Sequence, residues 1–269
     1  MTSTAEKRAA FRALHARGCF VLPNPWDRGT ARYLAHRGFA ALATTSSGAA
    51  WSRGRPDGSA TRDEALDHLA DIVGATGLPV NADFEDGYGA TPDEVAASVA
   101  LAVETGVAGL SIEDGADGTS YELGVAVERL SAAREAIDAG GHDVVLVARA
   151  DGFFNGRPDL DDVLDRLRAF ARAGADCLYA PGITAPDQVA AIVAAVAPRP
   201  VNLLVGAQSD LTLDRVAALG VRRISVGGAL ARTAWGGVER AADRLVEGRF
   251  DGFGGAAQGG ELNALFSGS

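Results

Sequence analysis

Short apolar runs rich in Val, Ile, Leu and Ala recur at residues 19–24, 40–45, 79–84, 109–113, 144–149, 177–181, 200–205 and 222–227, separated by Ala-rich stretches with helical periodicity. Apolar strands that alternate with helices predict a parallel sheet covered on both faces. Thr61 with Glu64, and Thr91 with Pro92 and Glu94, have the spacing of helix N-terminal capping boxes. A weak repeat supports the alternation. RGFAALAT, TGVAGLSI, AGADCLYA and LGVRRISV each place a glycine (Gly38, Gly106, Gly174, Gly220) shortly before an apolar strand, as expected where a helix ends in a left-handed residue and turns into the sheet. These glycines precede the even-numbered strands, and PVN opens the third and seventh. The pattern predicts an α/β fold of the TIM type, an (α/β)8 barrel, with a doubly wound open sheet as the alternative. No linker interrupts it before Gly248, so residues 1–248 are read as one barrel domain and residues 249–269 as a Gly-rich tail whose apolar ELNALF end can dock on a partner subunit.

Length agrees, since 269 residues fit a single α/β barrel. The net charge of −10 and the absence of a basic run remove the electrostatic drive toward nucleic acid or an anionic membrane surface. No run approaches the ~18 apolar residues of a membrane span and no signal-peptide core is visible, so the expectation is a cytoplasmic protein. Cys19 and Cys177 suit a reducing compartment, although two cysteines can form one bridge. Among the 25 basic residues only Lys7 is a lysine, and it precedes the first strand. Schiff-base chemistry by an interior lysine is therefore excluded.

Reactive groups of such barrels sit at the C-terminal ends of the strands. His15, His36 and His68 fall in predicted helices, His142 lies before the fifth strand, and both cysteines sit at strand starts. Carboxylates occupy the right end instead: Asp27, Asp57, Asp83, Glu85, Asp86, Glu113, Asp114 and Asp151. Oxygen ligands without nearby His or Cys suit a hard cation such as Mg2+, with Mn2+ as a substitute. Some of these acids, Asp27, Asp114 and Asp151 among them, can equally cap the helices that follow. Arg149 closes the fifth strand in VARAD; its planar fork suits a substrate carboxylate or phosphonate, or a salt bridge to the neighbouring acids. The small residues of TTSSG, Thr44 to Gly48, can present backbone amides to an anion or form an ordinary loop.

In TTSSGAAWSRGRPDG, NADFEDGYG, SIED and VARAD, in this order on strands two to five, the chain resembles the isocitrate lyase/phosphoenolpyruvate mutase superfamily, in its short phosphonomutase-like branch. The resemblance spans FVLPNPWD through ISVGG. It implies an (α/β)8 barrel, in some members with a C-terminal helix exchanged between subunits, a homodimer or homotetramer, Mg2+ at the strand ends, and a small-molecule 2-oxo carboxylate as partner. It implies substrate binding by Ser46, Ser47, Gly48 and Arg149, metal binding by Asp83, Glu85, Glu113 and Asp57, and catalytic roles for Arg149, Glu113 and Asp57. The register between Ser46 and Ser47 stays open; Asn81 and Asp83 have the family's paired-acid spacing directly, but two extra residues before GYG favour Asp83 and Glu85, and which of Asp83, Glu85 and Asp86 touches the metal directly stays open. The lysine, cysteine and histidine of the lyases' loop after the fourth strand are missing from GADGTSYELG, which argues against isocitrate and methylisocitrate lyase activity.

What remains is a Mg-dependent lyase that cleaves a C–C bond beside a 2-oxo acid through a metal-stabilised enolate. Decarboxylation of an oxaloacetate-like acid asks least of the side chains, because CO2 leaves without a base. The alternatives are retro-aldol cleavage of a 2-alkylmalate-like acid with Glu85, Asp57, Tyr88 or Tyr121 as base, phosphorus–carbon chemistry on phosphonopyruvate, and a silent homologue that only binds an oxo acid. Loss of Arg149 or Glu113 is expected to lower turnover by about two orders or more in a folded protein. Trp26, Trp51, Phe153 and Phe154 are read as packing residues before substrate contacts.

Overall fold

The computed structural model describes residues 2–267; residues 1, 268 and 269, the last two belonging to the predicted tail, lie outside the described residues. In chain order its strands are β1 (Phe20–Leu22), β2 (Leu42–Ala43), β3 (Val80–Asp83), β4 (Gly109–Ile112), β5 (Gly115–Ala116), β6 (Thr119–Ser120), β7 (Val145–Arg149), β8 (Cys177–Tyr179), β9 (Val201–Leu204) and β10 (Arg223–Ser225). Its helices are α1 (Thr4–Ala16), α2 (Arg28–His36), α3 (Ser46–Ser52), α4 (Arg62–Ala75), α5 (Pro92–Glu104), α6 (Leu123–Ala139), α7 (Leu160–Arg172), α8 (Pro186–Val196), α9 (Leu213–Ala218), α10 (Ala229–Val246) and α11 (Gly259–Ser267).

Eight strands pair in parallel in the order β1-β10-β9-β8-β7-β4-β3-β2. Each barrel strand neighbours the next in the chain, which an open doubly wound sheet does not allow. At the seam between β1 and β2 the Ala43 amide donates to the Pro23 carbonyl at 3.0 Å, and Asn24 Nδ2 donates to the Thr44 carbonyl at 2.8 Å. The barrel therefore closes through isolated hydrogen bonds rather than a full ladder, and β1 and β2 are shorter than the apolar runs that mark them. The repeat glycines have φ of 85°, 91°, 103° and 87°, and both capping boxes form.

The β5–β6 hairpin was not anticipated. Asp117 and Gly118 both have positive φ, 51° and 70°, which is the turn that Asp-Gly favours in a two-residue hairpin. The hairpin stands on the rim directly after β4.

Valines, leucines and isoleucines between sheet and helices form the main core, including Leu110, Leu146, Val99, Ile137, Leu167 and Leu178. Helix α1 closes the N-terminal end of the barrel. Phe11, fully buried, packs with Leu22, Ala41, Val145 and Cys177, and its ring meets His15 edge to face at 4.7 Å. One end is plugged by apolar packing, so a cavity can open only at the strand C-termini. Helix α11 lies against α2 of its own barrel, where Arg32 Nη2 donates to the Phe266 carbonyl at 3.0 Å. Among the described residues no helix is long and apolar enough to cross a membrane.

Candidate active site

A cavity of ~950 Å3 opens at the C-terminal ends of the strands. All the predicted site residues except Gly48 line it: Ser46, Ser47, Asp57, Asp83, Glu85, Glu113 and Arg149. Arg149 organises this end. Its Nη1 lies 3.0 Å from Asp83 Oδ1 and 2.8 Å from Glu113 Oε1, and its Nη2 lies 2.7 Å from Asp151 Oδ1. The guanidinium also stands 5.2 Å from the ring centroid of Tyr179. Burial alone would lower its pKa; Asp151, Glu113 and Asp83 reverse that and hold it well above the ordinary value. Arg149 is thus a permanent cation bridging the tips of β3, β4 and β7, and the two sequence readings, substrate fork and salt bridge, share one side chain.

Helix α3 begins at Ser46, with Thr45 as its N-cap. The Ser46 amide and hydroxyl both donate to Asp83 Oδ2 at 3.0 Å, and the hydroxyl also reaches Asp57 Oδ1 at 3.3 Å. The Gly48 amide donates to Thr45 Oγ1, and a Cβ at Gly48 would stand 2.7 Å from the Thr45 methyl and 3.0 Å from Trp26. Gly48 therefore serves close packing and the cap, and of the predicted trio Ser46 and Ser47 face the cavity. Trp51 and Phe154 also line the cavity, while Phe153 packs against the main core.

Glu85 has φ of 45°, uncommon for a residue with a side chain. Its backbone is held by the Glu113 amide, which donates to the Glu85 carbonyl at 2.8 Å. Burial, with the charge of Asp83 next, pushes the Glu85 carboxyl up to about 7, against a hydrogen bond from Tyr88, and its Oε1 is buried without a partner. Burial likewise pushes Glu113 up to about 8, opposed by Arg149 and reinforced by Asp151, Asp83 and Glu85. Asp57 is raised by burial and by Asp83. The remaining rim acids are structural. Asp86 accepts from Tyr121 Oη and Arg129 Nη2, both at 2.8 Å; Asp114 pairs with Arg166 at 3.1 Å; Asp27 caps α2.

The donor set fits a hard divalent ion. Asp57, Asp83, Glu85 and Glu113 supply oxygens to one cavity, and the buried Glu85 Oε1 has no hydrogen-bond partner among the described residues. Among the described residues no three His, Cys, Asp or Glu side chains already converge as a ligand cage. This agrees with Mg2+, which is usually held by one or two carboxylates plus water and substrate.

Sequence reasoning missed Arg223, Asn24 and Tyr179, which also line the cavity. The signal for Arg223 was present: in VRRISVG it alternates with Ile224 and shares a face with Ser225, so a period-2 reading places it inside the barrel.

A parallel eight-stranded barrel with carboxylates and an arginine at the strand tips defines an α/β-barrel enzyme framework. The phosphoenolpyruvate phosphomutase family model matches residues 11–246, and the chain belongs to this family, within the isocitrate lyase/phosphoenolpyruvate mutase superfamily. An uncharacterised protein of Mycobacterium tuberculosis is 33% identical over 220 residues, 81% of each chain. The 2-methylisocitrate lyase of Escherichia coli is 34% identical over 161 residues, 56% of this chain and 54% of the enzyme. Among solved structures, a candidate lyase/mutase of Burkholderia cenocepacia J2315 superposes with a TM-score of 0.95 at 50% identity, covering 98% of this chain and 97% of that one. Oxaloacetate acetylhydrolase in complex with its product oxalate superposes with a TM-score of 0.85 at 29% identity, covering 98% and 93%. The curated relatives that carry a named activity include 2-methylisocitrate lyases and an oxaloacetate decarboxylase.

Proposed function

We propose that the protein is a Mg-dependent lyase that cleaves a C–C bond beside the 2-oxo or 2-hydroxy carboxylate end of a short acid of the oxaloacetate or malate type. The observation that carries this reading is the Arg149 cluster, where one buried guanidinium faces a cavity bordered by Asp83, Glu113 and the start of α3. The likeness to oxaloacetate acetylhydrolase supports the substrate class. Asp57, Asp83, Glu85 and Glu113 would hold Mg2+, which when bound supplies Lewis-acid polarisation next to the carboxylate.

Arg149 binds and orients the substrate carboxylate, and Asp151, held on the far side of its fork, prevents the guanidinium from swinging away. Ser46 ties Asp83 to α3 and so sets the position of that oxygen. Trp51 and Phe154 add apolar surface to the cavity wall. Glu85, buried at the cavity edge with a hydrogen bond from Tyr88, would accept and return one proton at a carboxylate oxygen in an arrangement where Asp57, Asp83 and Glu113 hold the cation without it. That last feature favours a second version of the same reaction class. Decarboxylation needs no base to begin; retro-aldol cleavage of a malate-type acid does, and of the candidate bases Glu85 and Tyr88 are hydrogen-bonded to each other at the cavity. GADGTSYELG supports the exclusion of isocitrate and 2-methylisocitrate lyase activity, since the resemblance places their acid/base cysteine in that segment and none is there.

The test offers purified protein oxaloacetate, 2-alkylmalates and phosphonopyruvate with Mg2+, and follows pyruvate, glyoxylate and oxalate with and without a chelator. Metal-dependent turnover of a carboxylic acid is expected, lowered by about two orders in Glu113→Gln. Turnover unaffected by chelation would sink the metal role. Tight oxo-acid binding without product would make the protein a silent binding homologue.

A further inference from the structure

Below the strand tips the barrel holds another guanidinium. Arg223, on β10, is 2% exposed, and its side chain forms part of the cavity wall. Its Nε donates to Asn202 Oδ1 at 2.8 Å and its Nη1 to Asn81 Oδ1 at 3.1 Å. Both partners are neutral, Nη2 makes no hydrogen bond among the described residues, and no carboxylate pairs with the group. The other buried arginines differ. Arg129, Arg149 and Arg166 each have a carboxylate, and Arg8 holds two carbonyls at the end of α5.

The two amides are fixed with their oxygens toward Arg223. Asn202 Nδ2 donates to Ser225 Oγ at 2.9 Å, and Asn81 Nδ2 donates to the Ala82 carbonyl at 2.8 Å. Gly109 leaves the space for this arrangement, because a Cβ there would stand 2.8 Å from Asn81 Oδ1. A lone buried cation costs several kcal/mol unless an anion compensates it. The built surroundings supply dipoles but no charge.

We infer that Arg223 is a second anion subsite on the cavity floor, taking the distal carboxylate of a short diacid whose other carboxylate sits at Arg149. The inference rests on the oxo-acid reading and narrows it to diacids. Asn81, which holds Arg223, and Asp83, which holds Arg149, alternate on β3 and so lie one layer apart on the same inward face, with both guanidiniums bordering one cavity. A cation at the distal carboxylate stabilises a group that stays charged and opposes its departure as neutral CO2. Arg223 therefore selects substrates whose far carboxylate is retained, which shifts the balance from decarboxylation toward cleavage nearer the Arg149 end.

Calorimetric titration with Mg2+ present tests this, with oxalate as the probe that lacks a distal group and 3,3-difluorooxaloacetate as the diacid. Wild type is expected to bind both. Arg223→Met should weaken the diacid about tenfold or more and leave oxalate nearly unchanged, the loss of one charge-assisted contact. Asn202→Asp is a second, isosteric route that keeps the arginine and supplies it with an internal counter-ion. It should hold or raise the melting temperature while weakening the diacid alone, and it decides the question if Arg223→Met does not fold. Diacid affinity unchanged in the variants, or both probes weakened equally, overturns the subsite while leaving the oxo-acid reading intact. A wild type that binds neither probe overturns that reading, and the subsite with it.

Discussion

Replacing Arg149 by methionine removes the charge that three carboxylates share at 2.7 to 3.0 Å. Asp151 is the critical partner, because its side chain is 3% exposed and water cannot take over. Breaking a buried pair by removing one member costs ~3–5 kcal/mol, and a protein near this size loses ~2–4 °C of melting temperature per kcal/mol, so a fall of ~6–20 °C is expected near pH 8. The variant should still fold, at this lowered stability. The pH dependence carries the stronger test. Without the arginine, burial holds Glu113 and Asp151 above their unfolded pKa values, so the folded state binds more protons than the unfolded one and stability falls as pH rises through that window. The melting-temperature difference between wild type and Arg149→Met should accordingly shrink at pH 5. Calorimetric scans at pH 5 and 8 measure it, with turnover of the accepted substrate, expected about two orders lower, recorded beside them. An equal difference at both pH values would refute the picture of uncompensated carboxylates.

Two further substitutions probe the closed end of the barrel. Burial, and next the charge of Arg223, lowers the His15 pKa to about 4, against a hydrogen bond to the Phe11 carbonyl. The folded state therefore keeps this ring neutral while the unfolded chain protonates near 6.5, and stability present above pH 6.5 is lost as pH falls toward 4. The difference between wild type and His15→Leu, followed by urea unfolding from pH 7 to 4.5, should change by about 2 kcal/mol; a flat difference would remove His15 from the acid limb. In Gly109→Ala the new methyl would meet Phe11 at 2.6 Å and Asn81 Oδ1 at 2.8 Å, so a loss of ~1–3 kcal/mol by urea unfolding is expected, whereas a neutral result would mean that α1 and Asn81 can shift freely.

The barrel was legible because its signals are local. Strand periodicity, the glycine before alternate strands and the capping boxes at Thr61 and Thr91 each depend on a few neighbouring residues. The rim acids and Arg149 followed from knowing where strands end. What stayed hidden depends on approach between distant strands. Nothing in VARAD says that Asp151 will turn back onto Arg149, and nothing near Glu85 announces a left-handed backbone held by the Glu113 amide. The β5–β6 hairpin and Arg223 are different cases, since an Asp-Gly turn and an inward arginine were both readable and were passed over in favour of the broader alternation.

Depth orders the charge in this cavity. Acids crowd the rim, where Arg149 meets three of them, and a single arginine lies one layer beneath with only amides for company. The two layers act on each other electrostatically without contact, since Asp83 and Arg223 are not hydrogen-bonded yet interact. Asp83 acts on Arg223 in the direction that keeps the guanidinium charged, opposing the burial that lowers its pKa. The same positive charge pushes protonation away from His15 on the opposite side. A diacid entering this field meets cations at two depths and rim carboxylates between them that repel it unless a cation intervenes. If both proposals hold, divalent-metal dependence and selectivity for a second carboxylate would be linked, because a cation would neutralise the rim acids that a diacid must pass to reach Arg223.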